Sequence, residues 1–291
     1  MFKFFKRLIS GKKRPALIPV LRLQGAIGAV TPLRPGLTLQ HVDPVLEKAF
    51  AVKRAKAVAI VINSPGGSPV QSTQIFRRIR QLADEKEKRV LVFIEDVGAS
   101  GGYMLALAGD EIYADASSIV GSIGVVSAGF GFVDAIKKLG VERRVHTAGD
   151  NKSILDPFLP TKKADVERLK ALQLEVHEAF KDMVRERRGS KLAEDNKDLF
   201  SGAFWSGVQA KDLGLIDDLG VMHTVLEAKF GKDVEIKPIS APKKGLLSRL
   251  IPGAAEERLD AGAVLDRYSA GLGDELISSL EARAVWARFG L

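Results

Sequence analysis

Two apolar runs constrain the fold more than any other feature of the chain. AVAIVINS at residues 57–64 shows no alternation of apolar and polar positions, and RVLVFIEDV at residues 89–97 is a second apolar run. Strands of this kind are buried on both faces, as in the interior of a parallel sheet. Residues 68–88, between them, have the apolar spacing of an amphipathic helix. A strand, a helix and a second buried strand predict an α/β protein with right-handed crossovers.

The remainder of the chain continues this alternation. Further strands are predicted at residues 111–116 and 142–149, residues 16–29 are predicted to be a strand pair or one bent strand, and residues 234–244 a last strand followed by a linker. Further helices are predicted at residues 42–54, 100–110, 132–140 and 161–188. The last of these is long and charged, and we expect its apolar stripe to pack against the sheet or another subunit. Ligands bind at the carboxyl ends of parallel strands, where the glycine-rich turns at residues 65–67 and 98–102 are expected to lie.

Composition excludes several kinds of chemistry. The chain has no cysteine, which excludes disulfides and thiol nucleophiles, and its four histidines are not at metal-ligand spacing. We therefore expect no metal and no cofactor. The net charge of +8 comes from the residues before the first acidic residue, Asp43, and the charges balance beyond it. A neutral body with a basic leader argues against a nucleic-acid partner.

The leader begins MFKFFKRLIS and is too short and too charged to cross a bilayer. On a helix its aromatic and aliphatic side chains share one side, and its lysines and arginine share the other. Residues 1–14, from Met1 to Arg14, are thus either a peripheral membrane contact or a solubilising terminus.

Ser100 lies among small residues at a predicted strand-to-helix turn. It is either a nucleophile or a small residue that the turn requires. A serine nucleophile needs N–H donors for the oxyanion, and the backbone of Gly66, Gly67 and Gly101 could supply them. It also needs a base, which can be a lysine that burial keeps neutral. Residue types alone do not select one lysine among the many.

Five segments, in order along the chain, together resemble the SppA/SohB family of bacterial signal peptide peptidases. They are INSPGG (62–67), VGASGGY (97–103), GSIGV (121–125), TAGDNKSILDPF (147–158) and FSGAFWSGVQAKDLGLIDDLG (200–220). The family consists of serine peptidases with a Ser/Lys dyad. The resemblance runs from about residue 20 to residue 230.

The resemblance implies a role for each matching residue. Ser100 matches the nucleophile, Lys152 the general base, and Ser122 the hydroxyl that orients the lysine amine. The N–H groups of Gly67 and Gly101 match the oxyanion hole. The reaction implied is hydrolysis of apolar or unfolded peptides, such as cleaved signal peptides, through an acyl-enzyme intermediate.

The resemblance also implies a ClpP/crotonase-like spiral of parallel ββα units, with a long helix and a small helical extension. We expect a leader at residues 1–15, the peptidase domain at residues 16–235 and a mostly helical extension at residues 236–291. Family members usually have a membrane-spanning N-terminus and often an aromatic residue where this chain has Asn151. The tandem copy of the double-length branch is absent, so we expect a homo-oligomer, in the cytoplasm or peripheral on the cytoplasmic face of the bacterial inner membrane.

Two alternatives share this fold. A crotonase-like acyl-CoA enzyme also uses two backbone N–H groups for an oxyanion, but it takes carboxylates as acid and base. An inactive, membrane-associated scaffold needs no dyad.

Overall fold

The computed structural model describes residues 14–28, 36–240, 283–284 and 286–291. Its strands are β1 (Leu17–Gln24), β2 (Ala57–Ser64), β3 (Arg89–Ala99), β4 (Glu111–Ala114), β5 (Ile119–Gly121), β6 (Phe204–Ser206), β7 (Asp218–Leu219) and β8 (Glu235–Pro238). Its helices are α1 (Leu39–Phe50), α2 (Pro69–Glu85), α3 (Gly101–Ala106), α4 (Val133–Lys138), α5 (Lys163–Arg188), α6 (Gly207–Asp212) and α7 (Met222–Phe230). Most of the predicted leader and extension lies outside the described residues.

All eight strands join one sheet, with the main order β6-β5-β3-β2-β1-β8. Strand β3 pairs with β2 along one side, and with β4 and then β5 along the other. Every pairing is parallel except that of β5 with β6. The α/β architecture and the ClpP/crotonase-like fold are confirmed. Because β3 is long enough to pair with two successive strands, its carboxyl end meets β5 at Ala99 and Gly121.

The sheet buries both of its faces, which explains the apolar runs in the sequence. On the first face, side chains such as Ile60 and Val92 pack against α1, α2 and α3. On the second face, Val61 and Phe93 belong to a cluster that includes Leu226 of α7. All eight residues of β2 are buried as a result, as is expected of an interior parallel strand.

The prediction of a strand at residues 142–149 is wrong. These residues have no regular secondary structure, and nearly all of them are exposed. They belong to an exposed segment, residues 126–160, which we call the arm. A strand needs a neighbour to bond its N–H and C=O groups, and none of the described strands pairs with this segment.

The long predicted helix is confirmed as α5, but it packs over only part of its length. Its buried residues are Phe180, Val184 and Arg188, all in its last third. Leu172 and Leu174, further towards its start, are 56% and 61% exposed. Leu172 and Leu174 therefore remain largely uncovered within the described part of the chain.

A buried ion pair attaches the end of α5 to the sheet. The Arg188 guanidinium, 3% exposed, donates to both carboxylate oxygens of Asp217 at 3.0 and 3.2 Å. Lys191 and the N–H of Ile112 in β4 donate to the same carboxylate. Burial alone would raise the pKa of Asp217, but the hydrogen bonds from Arg188, Lys191 and Ile112 outweigh it and lower the pKa.

Replacing Asp217 with alanine should therefore destabilise the protein by about 3–5 kcal/mol, because it leaves the buried Arg188 unpaired. The carboxylate's contribution is present above its ordinary pKa of about 3.9 and is lost as the pH falls through the lowered value. Urea unfolding between neutral and acid pH measures both effects. Asp218→Ala is the matched control because Asp218 pairs with an exposed lysine, and an equal loss in both variants would contradict the assignment.

Candidate active site

Ser100 occupies the turn between the end of β3 and the start of α3. Its backbone has φ 51° and ψ −122°, a positive-φ conformation outside the left-handed helical region that is rare for a residue with a side chain. Such a conformation costs about 1–3 kcal/mol and persists only where the surroundings impose it. The N–H of Ser100 donates to the Gly121 carbonyl at 2.7 Å, and its own carbonyl accepts from Tyr103 and Met104. The turn therefore holds the serine in a strained but fixed position at the carboxyl edge of the sheet.

Glycine is required where this turn approaches the end of β2. A Cβ atom on Gly66 would lie 2.8 Å from Ser100 Cβ and 2.9 Å from Gly101 N. A Cβ atom on Gly101 would lie 2.4 Å from Ser72 Oγ. Because real Cβ atoms do not approach other atoms this closely, any side chain at these positions would displace the turn. The glycines allow two backbone segments to meet around Ser100.

Gly66, Gly67 and Gly101 surround Ser100 and form what we call the glycine cradle. A Cβ atom on Gly101 would be 3.3 Å from Gly67 N, so these two residues lie side by side. Within the described part of the chain, the N–H groups of Gly67 and Gly101 donate to no other group. The N–H of Gly66, by contrast, donates to Ser64 Oγ at 3.3 Å. Of the three glycines considered from the sequence, Gly67 and Gly101 have the free donors that an oxyanion hole requires.

The turn before Gly67 is fixed by a second loop. The N–H of Ile27 donates to the Gly66 carbonyl, and the N–H of Ser68 donates to the Ile27 carbonyl, both at 2.8 Å. These bonds form an isolated parallel bridge between Ile27 and Gly67. In this bridge the N–H group of Gly67 forms no backbone hydrogen bond. The segment around Ile27 was not recognised from the sequence, although its GAIGA pattern of small residues is typical of a close backbone approach.

Ser122 lies beside Ser100 at the same edge. Ala99 of β3 is paired with Gly121 of β5, so the two serines each follow one member of this pair. Ser122 also has a positive φ of 52° and is 6% exposed. Its N–H donates to the Ala203 carbonyl at 2.7 Å, just before β6. The structure therefore brings Ser100 and Ser122 together, as the resemblance implies.

Lys152 is exposed and, among the described residues, forms no hydrogen bond with either serine. It belongs to a series of turns in the arm. Its backbone N–H donates to the Gly149 carbonyl at 3.3 Å. Among the described residues, no hydrogen bond or ion pair involves the Lys152 amine. Within one chain, the structure does not bring the predicted base to the predicted nucleophile.

The arm has internal order in spite of its exposure. The Phe132 and Phe158 rings stack with centroids 5.4 Å apart, and the N–H of Phe132 donates to the Pro157 carbonyl. Arg143 pairs with Asp156 at 3.0 Å. The N–H of Phe158 and the Arg143 guanidinium lower the pKa of Asp156. Lys152 is therefore presented on a folded loop.

Comparison with known proteins identifies the family. The family model described as peptidase family S49 matches residues 83–235, which is more than half of the chain. The chain belongs to peptidase family S49. The matched residues of this S49 chain include Ser100, Ser122 and Lys152, whereas Gly66 and Gly67 precede them.

Three relatives show how far the similarity extends. "Na(+)/H(+) antiporter NhaA" of Brucella abortus is 59% identical over 98% of this S49 chain and 39% of its own length. "Serine protease SPPA, chloroplastic" of Arabidopsis thaliana is 30% identical over 89% of the chain and 39% of its own length. "Protease 4" of Haemophilus influenzae is 33% identical over 60% of the chain and 28% of its own length. The chain thus spans about two fifths or less of each relative.

The antiporter name describes a protein of which this chain matches 39%. Among the described helices, none is both long and apolar enough to cross a membrane.

Proposed function

We propose that the chain is a serine endopeptidase in which Ser100 is the nucleophile and Lys152 the general base. The observation that carries the proposal is the strained Ser100 beside two backbone N–H groups, of Gly67 and Gly101, that have no acceptor. A serine in a fixed strand-to-helix turn next to such donors is the arrangement that acyl transfer requires. Membership in family S49, and the protease names of two relatives, support the same reaction class.

The proposed reaction passes through an acyl-enzyme. The Ser100 hydroxyl attacks the peptide carbonyl while the neutral Lys152 amine takes its proton. The Gly67 and Gly101 N–H groups donate to the oxyanion of the tetrahedral intermediate. The C–N bond then breaks, and the lysine ammonium gives its proton to the leaving amine. Water, deprotonated by the same amine, attacks the ester, releases the acid product and restores the Ser100 hydroxyl.

We infer that Lys152 reaches a serine through self-association. A general base must lie within hydrogen-bond distance of the hydroxyl, and a lysine amine stays neutral only where it is desolvated. The exposed Lys152 of a single chain satisfies neither condition. The arm and the start of α5 also expose several large apolar side chains, which are Val126, Phe130, Phe132, Leu139, Val141, Leu155, Leu172 and Leu174. Burying them against a second copy would bring Lys152 of one chain to Ser100 of its neighbour and remove water from the amine.

This arrangement predicts complementation between two inactive variants. Ser100→Ala and Lys152→Ala chains, co-expressed with different tags, should recover peptidase activity that neither variant has alone. In random 1:1 assemblies, about a quarter of the neighbouring pairs would combine an intact serine with an intact lysine. The measurement is peptide cleavage by the doubly purified mixture. If the mixture stays as inactive as its parents while still associating, Lys152 does not act on a neighbouring chain.

The proposed substrates are apolar or unfolded peptides such as cleaved signal peptides, which the resemblance to the signal peptide peptidases supports. The acyl-CoA alternative is less well supported, because it leaves Ser100, Ser122 and Lys152 without a role. The side-chain atoms nearest to a Cβ atom on Gly66, Gly101 or Gly102 belong to Ser100, Ser72, Ile27 and Ser64, and none is part of a carboxylate. The leader's membrane contact and the cytoplasmic location stay predictions.

Peptide and acyl-CoA substrates together distinguish a peptidase from an acyl-CoA enzyme. The full chain is incubated with a labelled apolar peptide and, separately, with saturated and unsaturated acyl-CoA thioesters. We expect cleavage of the peptide at internal bonds and no hydration or isomerisation of the thioesters. Conversion of the thioesters without peptide cleavage would refute the proposal.

Gly66→Ala should lower peptidase activity by about 100-fold or more, because a displaced oxyanion donor costs roughly that much. The new methyl group would lie 2.8 Å from Ser100 Cβ, at a backbone φ of +102°. Gly231→Ala is the matched control, since Gly231 also has a positive φ, +92°, and a Cβ atom there would meet nothing within 4 Å. The measurement is kcat/KM on one peptide, with melting temperature as a check on folding. Equal activity in both variants would show that the close approach at Gly66 is unimportant.

A further inference from the structure

A cavity of about 540 Å³ lies on the second face of the sheet, apart from the glycine cradle. Val61 of β2 and Phe93 of β3 form part of its lining, and both belong to the cluster that α7 covers. Met222 and the exposed Val221, at the start of α7, line another side. The cavity therefore offers aliphatic and aromatic surface to a ligand.

The same cavity is acidic. Glu95, Asp96 and Asp115 all line it. Arg22 pairs with Glu95 at 2.6 Å. The other two carboxylates have only neutral hydrogen-bond partners among the described residues, since Asp96 accepts from the Asn63 amide and Asp115 from a backbone N–H. With two exposed, uncompensated carboxylates beside apolar surface, the cavity fits a segment that is both cationic and apolar.

The chain itself supplies such a segment next to the cavity. Strand β8 pairs with β1, and the N–H of Ile239 donates to the Val20 carbonyl at 2.7 Å. Continuing this register places Ser240 beside Arg22, which lines the cavity. The next ten residues are APKKGLLSRL, with two lysines, one arginine, three leucines and no acidic residue. The segment therefore begins at the cavity and has the complementary charge.

Lys243 and Lys244 are close enough along the chain to reach the acidic residues of the cavity. An extended chain spans at most about 3.3–3.6 Å per residue, so Lys243 lies up to about 10 Å from Ser240. Neighbouring strands are about 4.8 Å apart, so Glu95 and Asp96 on β3 lie about 10 Å across the sheet from β1. Lys243 and the following Lys244 can therefore reach these carboxylates without any movement of the sheet.

The end of the chain packs against β3 next to the residues that line the cavity. Phe289 is 7% exposed and packs against Val97 and Ala99 of β3, together with Trp286. Val97 follows Glu95 and Asp96, two of the residues that line the cavity. Residues 241–282 thus connect a point beside Arg22 to a point beside Val97, and both points adjoin residues of the cavity.

We propose that this cavity is the docking site of the chain's own residues 243–250. Their cationic side chains bind Asp96, Asp115 and Glu95, and their leucines cover the apolar lining. The other strongly basic segment, the leader, joins the sheet at the opposite end of β1, which begins at Leu17. Docking would fasten the C-terminal extension along β3, the strand whose last residue, Ala99, precedes Ser100.

Because the chain has no cysteine, one introduced pair can report the contact. Ser117 lines the cavity, and Ser248 lies in the docking segment. The full chain carrying Ser117→Cys and Ser248→Cys is treated with a short bismaleimide. The matched control pairs Ser117→Cys with Ser10→Cys in the leader. We expect intrachain crosslinking of the 117/248 pair at least about tenfold faster than that of the 117/10 pair, because docking raises the local concentration.

Removing the negative charges of the cavity gives a second test, in which the crosslinking rate is again measured. Adding Asp96→Asn and Asp115→Asn keeps the shape and the hydrogen-bond acceptors but removes both uncompensated charges, so crosslinking should slow several-fold. Salt at 1 M, where the screening length falls to about 3 Å, should slow it similarly. Crosslinking between chains only, a 117/10 rate equal to the 117/248 rate, or a rate unchanged by the asparagine substitutions would each overturn the proposal.

Discussion

Replacing Ser100 with alanine is expected to abolish peptide hydrolysis, lowering kcat by at least about 10⁴-fold. Only the nucleophile makes and breaks the acyl bond, so the remaining oxyanion donors and substrate contacts leave little activity. The substitution keeps the Cβ atom that packs in the turn, and alanine meets the same cost as serine at the φ of 51°. The folded structure should therefore survive. Peptide cleavage measures the effect, and the melting temperature tests whether the fold is intact.

The matched control for this prediction is Ser127→Ala. Ser127 is an exposed serine in the arm, and its hydroxyl has no role in the proposed reaction. We expect near wild-type activity from it. If Ser100→Ala kept more than a few per cent of the wild-type rate while Ser127→Ala lost activity, the assignment of the nucleophile would be wrong.

Replacing Lys152 with methionine should lower kcat by about 10²–10⁴-fold, the contribution usual for a general base. Methionine keeps most of the length of the side chain but cannot accept a proton. Association between chains should persist, because the apolar side chains of the arm are untouched. The measurement is the rate of peptide cleavage in assemblies whose size is checked by light scattering.

Two observations distinguish a lost base from a damaged arm. Small primary amines added at alkaline pH should restore part of the activity of Lys152→Met, because they can take the proton in place of the side chain. Lys137→Met, which alters an exposed lysine in α4, should behave like wild type. A variant that no amine rescues, or a similar loss at Lys137, would indicate that the arm matters for its shape alone.

The buried strands could be predicted from the sequence because their apolar runs have one physical explanation. A run such as AVAIVINS is stable only between two packed faces, and β2 is indeed buried throughout. Residues 142–149 show the limit of the same reasoning. Their local pattern is compatible with a strand, but a strand also needs a neighbour with free backbone groups, and the sequence does not contain that information.

Some features of the candidate active site could likewise be predicted from the sequence, and others could not. The glycine turns could be recognised and placed at one edge of the sheet, since both follow buried parallel strands. Which N–H groups are free could not be predicted, because that depends on the bridge between Ile27 and Gly67 and on the Ser64 hydroxyl. The positive φ of Ser100 is likewise imposed by long-range contacts, among them its bond to Gly121.

The contacts within a single chain do not explain how Lys152 would act as the base. The resemblance selected it among many lysines, and the structure places it on an exposed loop of the arm. The base and the nucleophile lie 52 residues apart in the sequence, and neither local pattern nor the contacts of one chain bring them together. The requirement that a lysine base be desolvated leads to the proposed association of chains.

A fluorophosphonate probe tests the central claim most directly, because it forms a stable adduct only with an activated serine hydroxyl. The wild-type assembly is treated with the probe, digested and analysed by mass spectrometry to locate the modified residue. We predict one adduct, on Ser100, which is absent from Ser100→Ala and forms much more slowly in Lys152→Met. An adduct on another residue, or undiminished labelling of Ser100→Ala, would contradict the account.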